Sequence, residues 1–323
     1  MQKFRIFAKN NDMQADSLYR SFGPWLTGLA GCKVQKISVN AGFTCPNRDG
    51  TVGWGGCTYC NNQTFNPEYC QNDKSVTQQL EEGKTFFARK YPDMKYLAYF
   101  QAYTNTYADM QTLISKYEEA LAVEDVVGLI IGTRPDCMPT QLLDYLEQLS
   151  RRTLLIVEYG IETSFDDVLL HINRGHNFNS TRKAVELTAA RGIPVGGHII
   201  LGLPGTYEKQ DYILTEAQAM SGLPLTTLKI HQLQLVKGTR MAREYAEHPE
   251  RFHRYSVDEY VDAVIDFMEY SRPDLVFERF VSQSPPQLLA VPGWGLKNYE
   301  FTAKVNKRMH ERDAFQGKRY AHR

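Results

Sequence analysis

The stretch Val126-Val127-Gly128-Leu129-Ile130-Ile131, followed at once by Gly132-Thr133-Arg134-Pro135-Asp136, decides how this chain is read. An unbroken apolar run suits a parallel strand covered on both faces better than a strand with one face in water. Polar residues begin where the run ends. The same pattern repeats on either side. Strand-like segments fall at 33–40, 96–100, 154–157, 195–201 and 227–235. Segments of helical spacing lie between them. Ser75 with Gln78 predicts a capping box, and Val76, Leu80 and Phe87 share the face of the helix it opens. Met110, Leu113, Ile114, Tyr117 and Leu121 mark a second helix, and Leu142, Leu146 and Leu149 a third over 139–149. Two more are expected over 181–191, stopped by Gly192 and Pro194, and over 207–220.

Six strand–helix repeats between about 33 and 236 predict an α/β fold with a parallel sheet, open or curled into a barrel. Residues 1–32 form a lead-in, with a helix expected over 16–29 and interrupted near Pro24. Residues 237–323 read as a C-terminal α/β extension packed on the barrel. It carries a capping box at Ser256 and Glu259, an apolar stripe (Val257, Val261, Val264, Met268), and a strand near 275–281. A Pro- and Gly-rich segment over 283–295 contains Trp294.

Every strand ends in polar residues or glycine: Asn40, Gln101, Thr133-Arg134, 158–163, Gly202-Leu203-Pro204 and Lys237-Gly238. In α/β barrels the reactive groups gather at that rim. The loop after the first strand is about thirty residues long, a length uncommon without a function. It holds Cys45, Cys57 and Cys60, spaced C-x11-C-x2-C. Three thiolates suit three corners of a cubane iron–sulfur cluster and leave one iron open to a ligand; a closed structural site wants a fourth donor. Cys70 is the candidate fourth donor for the alternative, a structural zinc site.

Bulk properties exclude little else. The 323 residues carry 37 Lys+Arg and 37 Asp+Glu, so net charge names no partner. No apolar run reaches membrane-spanning length, and residues 1–10 lack a signal peptide's apolar core, so a cytoplasmic protein is expected. Six cysteines in a reducing compartment point to metal or redox chemistry rather than disulfides. No GxGxxG follows the first strand, which argues against a dinucleotide site. Residues 304–323 hold seven Lys/Arg against two Asp/Glu, either a solvated terminal helix or a tail that contacts nucleic acid.

The segments GFTCPNRDG (42–50), GGCTYC (55–60), TRPD (133–136), VEYGIETS (157–164), NRGH (173–176) and HIILGLPG (198–205) together resemble the radical SAM superfamily. More narrowly they resemble its YhcC/YtqA-like group and the radical SAM core of the Elongator catalytic subunit. The resemblance implies a partial (β/α)6 TIM-type barrel. It also implies a [4Fe-4S] cluster on Cys45, Cys57 and Cys60 that reductively cleaves S-adenosylmethionine (SAM) to a 5′-deoxyadenosyl radical. By the same resemblance Tyr59 lies beside adenine, Glu162 meets the ribose and Arg174 the methionine carboxylate. Thr104, Asn105, His198, Gly202 and Pro204 complete the implied cofactor wall. Arg134, Asp136 and Cys137 are the candidates facing substrate; Arg134 and Asp136 have the alternative of bracing the rim as a pair. A flavodoxin- or ferredoxin-type electron donor is implied. RNA, above all tRNA, is the favoured substrate; a small metabolite or porphyrin-like ring is the alternative.

Overall fold

The computed structural model describes residues 17–64, 66–88 and 94–321. The expectations for residues 1–10 and for the start of the lead-in helix at residue 16 lie outside them. Seven strands form one parallel sheet in chain order: β1 (Val34–Val39), β2 (Lys95–Phe100), β3 (Val126–Thr133), β4 (Leu154–Glu162), β5 (Val195–Leu201), β6 (Thr227–Gln232) and β7 (Val276–Arg279). β1 and β7 do not pair, yet Lys36 Nζ on β1 stands 2.7 Å from Glu278 Oε2 on β7. The sheet therefore curls until its two edges nearly meet, giving an open half-barrel. The strand expected near 275–281 is β7, and it joins the sheet itself, so the extension contributes a seventh stave.

Alternation along each strand creates two cores. Tyr96, Ala98, Phe100, Leu129, Ile131, Leu155 and Val157 point outward. They pack under helices that include α2 (Val76–Ala88), α3 (Met110–Leu121), α4 (Thr140–Ser150), α6 (Phe178–Ala189), α7 (Tyr212–Ser221) and α9 (Val257–Tyr270). Leu97, Tyr99, Ile130, Leu154, Ile156 and Val276 form a separate inner core with Phe22 and Leu26 of helix α1 (Phe22–Ala30), which plugs the bottom of the barrel.

The lead-in differs from expectation in one respect. Helix α1 starts at Phe22, so Pro24 falls in its first turn, where a missing N–H costs no hydrogen bond. Just before it, the Arg20 carbonyl accepts from Phe277 N (2.8 Å), and Ser21 bridges Phe277 as a short parallel strand on the outer edge of β7. The Ser256–Glu259 capping box is present at α9, and Gln78 N donates to Ser75 Oγ (3.0 Å) at α2. Two helices had no periodicity long enough to announce them: α5 (Asp166–His171) and α8 (Arg240–Glu247); α10 (Asn298–Glu311) is the expected terminal helix, starting earlier and burying Phe301, Val305 and Met309. Much of the basic C-terminus is consumed by ion pairs: Arg308 of α10 and Arg312 just past it with Asp262, Arg312 also with Asp266 and Glu269, and Arg319 with Glu269.

Candidate active site

A chamber of about 230 Å³ opens at the C-terminal rim and is lined by Cys45, Cys57 and Cys60 together. The long insert between the first two is a tight hairpin. Val52 N donates to the Pro46 carbonyl (2.8 Å), Gly56 N to the Asn47 carbonyl (2.7 Å), and Asp49 bridges Trp54. Gly56 holds a φ of 77°, where a Cβ would also meet the Arg48 guanidinium at 2.9 Å. The hairpin thus folds Cys45 back toward Cys57. Thr58 N on the Ile172 carbonyl, Asn173 Nδ2 on the Gly56 carbonyl and Met241 N on the Thr58 carbonyl pin the loop to neighbouring rim segments.

Donors point at the sulfurs. Arg174 Nη1 approaches Cys57 Sγ at 3.4 Å, while Asn47 Nδ2 and Asn62 Nδ2 approach Cys57 and Cys60 at 3.8 Å. Without metal, burial pushes the Cys60 thiol up to about 11, so iron would have to displace a proton there. Among the described residues, no three His, Cys, Asp or Glu side chains converge on a single ion. A cubane distributes its thiolates over three irons and needs no such convergence. Cys70, the fourth ligand of the zinc alternative, is buried in the outer core with its Sγ 3.9 Å from Asn66 Oδ1, and it does not line the chamber.

Arg174 joins the sulfur side to β4. Its Nη2 donates to the Gly160 carbonyl (2.5 Å) and lies 3.5 Å from Glu162 Oε1. Gly160 must lack a side chain, because a Cβ there would stand 2.6 Å from Glu162 Oε1 and 2.8 Å from Arg174 Nη2. The β4–β5 register shifts between Gly160 and Glu162, and Glu162 adopts a φ of 71°. A left-handed, non-glycine residue at a bulge is a costly conformation of the kind that clusters at functional sites. Burial opposes the Glu162 charge. The Arg174 guanidinium, helped by Tyr59, outweighs it and holds the carboxyl below its usual range.

His198 sits between two partners. Its Nδ1 approaches Glu162 Oε2 at 3.4 Å without hydrogen-bond alignment, and its Nε2 lies 2.8 Å from His231 Nδ1 on β6. Arg279 Nε donates to His231 Nε2 (2.8 Å). Burial first, then Arg279 and His198, hold the His231 imidazole well below its usual range, so the ring is neutral. A guanidinium always donates, which leaves the His231 proton on Nδ1 and makes His198 Nε2 an acceptor. Below this lies a sealed charged layer. Lys229 donates to both Glu158 oxygens (2.7 and 2.6 Å) and to the Tyr99 hydroxyl (2.8 Å), and it lies 3.2 Å from Glu278 Oε1. Glu278 then reaches Lys36 across the seam.

The chamber brings together Cys45, Cys57, Cys60, Tyr59, Thr104, Arg134, Glu162, Arg174 and His198. Asn105 is buried outside it, with Nδ2 tying the Phe100 and Gly132 carbonyls of β2 and β3. Arg134 and Asp136 form a two-pronged pair (2.9 and 2.8 Å). Asp136 and Cys137 stand outside the lining, and burial pushes the Cys137 thiol up to about 12. Gly202 lines a smaller neighbouring cavity shared with Trp294, and Pro204 is buried in the turn beyond it, lining neither cavity. Sequence reasoning missed Lys229, His231 and Arg279 as chamber residues. Four buried polar atoms at the chamber lack any partner: Glu162 Oε2, Arg174 Nε, Thr104 Oγ1 and Arg134 Nη1. Orphans of this kind mark a wall built to meet a ligand.

Comparison with known proteins agrees with this geometry. Residues 43–215 match the Radical SAM superfamily and residues 225–311 the Radical_SAM C-terminal domain. The chain is 40% identical to the uncharacterized protein YtqA of Bacillus subtilis, over 89% of this chain and 88% of that one. It is 35% identical to protein YhcC of Escherichia coli K12, over 93% and 94%. A tRNA uridine(34) acetyltransferase of Methanocaldococcus infernus is 26% identical over 52% of this chain and 30% of its own length. The Elp3 structure from that archaeon superposes with a TM-score of 0.66 at 16% identity, covering 88% of this chain and 64% of that one, which shows a shared fold. A half-barrel with three cysteines on its rim loop, together with these matches, makes the chain an enzyme of the radical SAM superfamily.

Proposed function

We propose that Cys45, Cys57 and Cys60 hold a [4Fe-4S] cluster, that SAM binds the adjoining wall, and that the enzyme modifies RNA, with tRNA the first candidate. The observation that carries the reading is Arg174. One guanidinium touches the Cys57 sulfur, the Gly160 carbonyl and Glu162, and its Nε remains unpartnered. A fork placed there suits a carboxylate next to a cluster. When bound, the cluster and SAM supply a carbon-centred radical by one-electron reductive cleavage of SAM.

The chain's residues then do the orienting. Arg174 holds the carboxylate end. Glu162, kept ionised by Arg174, accepts hydrogen bonds from the hydroxyls of a sugar. Tyr59, Thr104 and Ile200 line the space beside them. The sealed Lys229–Glu158–Glu278 layer closes the floor and keeps water from entering below. The neutral His231 fixes the orientation of His198. Gly202, Pro204 and Asn105 would act from behind the wall by shaping its turns, and the Arg134–Asp136 pair by bracing the rim.

The RNA assignment draws on the relatives named for tRNA uridine acetylation, which match half of this chain. The ion-paired C-terminal helix adds little to it. A flavodoxin- or ferredoxin-type protein is the proposed reductant, in a cytoplasmic setting. The test begins with anaerobic reconstitution. About four irons and a brown colour are expected, then 5′-deoxyadenosine after reduction with SAM, and a mass change in tRNA. A colourless protein holding one zinc would end the cluster reading. Absence of salt-sensitive tRNA binding would end the RNA reading alone and favour a small metabolite.

A further inference from the structure

We propose that Arg279 is the docking point for an anionic group of the substrate, a phosphate or a carboxylate, on the β6–β7 side of the chamber. The assignment rests on the reading of the cysteine side as the cofactor's. Arg279 Nε is committed to His231. Its two terminal nitrogens have no hydrogen-bond partner among the described residues and are not sealed from solvent, and the residue lines the chamber. A guanidinium fixed by its Nε presents both terminal N–H groups as a ready fork for two oxygens of one oxyanion.

The strand geometry places it there. The β6–β7 register pairs Leu228 with Phe277 but Lys229 with Arg279, so Glu278 is an extra residue in β7. That irregularity turns both Glu278 and Arg279 inward, against strict alternation. Bulges that re-aim side chains are over-represented beside active sites. Glu278 does not neutralise its neighbour, because its two oxygens meet Lys36 and Lys229. The inner layer holds Lys36, Lys229 and Arg279 against Glu158 and Glu278, three cations to two anions. Of the three, Arg279 is the cation with no carboxylate paired to it among the described residues. Gln232, Gln234, Ser282 and Ser284, which line the same side, are neutral. A confined, uncompensated guanidinium is costly unless an anion comes to it.

The test measures binding and does not depend on turnover. Cluster-loaded protein is titrated calorimetrically with inorganic phosphate and, separately, with malonate, in the parent, Arg279→Gln and Arg279→Lys. One probe is expected to bind with unit stoichiometry. Arg279→Gln should weaken it about tenfold or more, and Arg279→Lys by less, since the charge is kept and the fork lost. Preference for phosphate assigns a phosphoryl-bearing substrate, and preference for malonate a carboxylate-bearing one. Iron content should stay at parent levels in both variants. The proposal falls if neither probe binds, if both variants bind as the parent does, or if the variants lose iron instead. A parent that holds no iron overturns the cofactor reading and leaves the anion measurement intact.

Discussion

Two stretches of chamber wall were built in different ways. The cysteine side comes from contiguous sequence: one hairpin loop carries all three thiols, and Asn173-Arg174 carries the clamp that meets them. The β6–β7 side is assembled from single residues on separate strands, Lys229 and His231 on one and Glu278 and Arg279 on the other. The first wall is held by loop hydrogen bonds and glycine backbone, the second by buried charge. The lesson is that a wall carried by one loop can be read as a motif, while a wall of scattered inward positions shows only in the fold.

The sharpest way to break the comparison is to remove a thiol. Cys57→Ala should lose cluster iron and drop SAM cleavage to background, while circular dichroism remains that of the parent. An active variant with four irons would show that the motif wall is not what holds the metal. The opposite case is Glu278→Gln, which leaves Lys36 and part of Lys229 uncompensated. Unfolding of cluster-free protein in urea should show a loss of about 3–5 kcal/mol. A loss below about 1 kcal/mol would mean that the charged layer is decorative.

Gly160→Ala sharpens the link between the two walls. The new methyl would press on Arg174 and Glu162, and SAM affinity should fall roughly 10- to 100-fold with iron retained. Unchanged affinity would detach Arg174 from the cofactor. The smallest effect is in pH. Burial disfavours the Glu278 charge, but Lys229 and Lys36 hold the carboxyl at about 2 against an ordinary 4.5. Its stabilising contribution is therefore complete above about 4.5 and is lost as pH falls toward 2. Denaturation midpoints of cluster-free parent protein should decline across that window more steeply than those of Glu278→Gln. Parallel slopes would show that Glu278 is not held low.

Much of this architecture was legible in the sequence. The apolar run at β3 announced a doubly covered parallel strand, and the cysteine loop after the first strand announced three thiols on the rim. Lys229 and His231 were readable too, because they alternate with Leu228 and Ile230 in a buried strand. Polar residues at every second position of such a strand must face the barrel interior. Arg279 was not readable, since alternation along Val276–Arg279 sends Glu278 and Arg279 to opposite faces, and only the irregular pairing with β6 turns both inward. The six-residue α5 was too short to show a helical period, and Pro24 misled because its position within the first turn depends on where the helix begins.

The short pairing of Ser21 with Phe277 has a practical consequence. It takes up the Phe277 N–H on the outer edge of β7, a donor that would otherwise be offered to any passing chain. Removing residues 17–33 would therefore free that edge, and bare the inner core under α1, while the chamber residues stay in the chain, and the product would stack on itself.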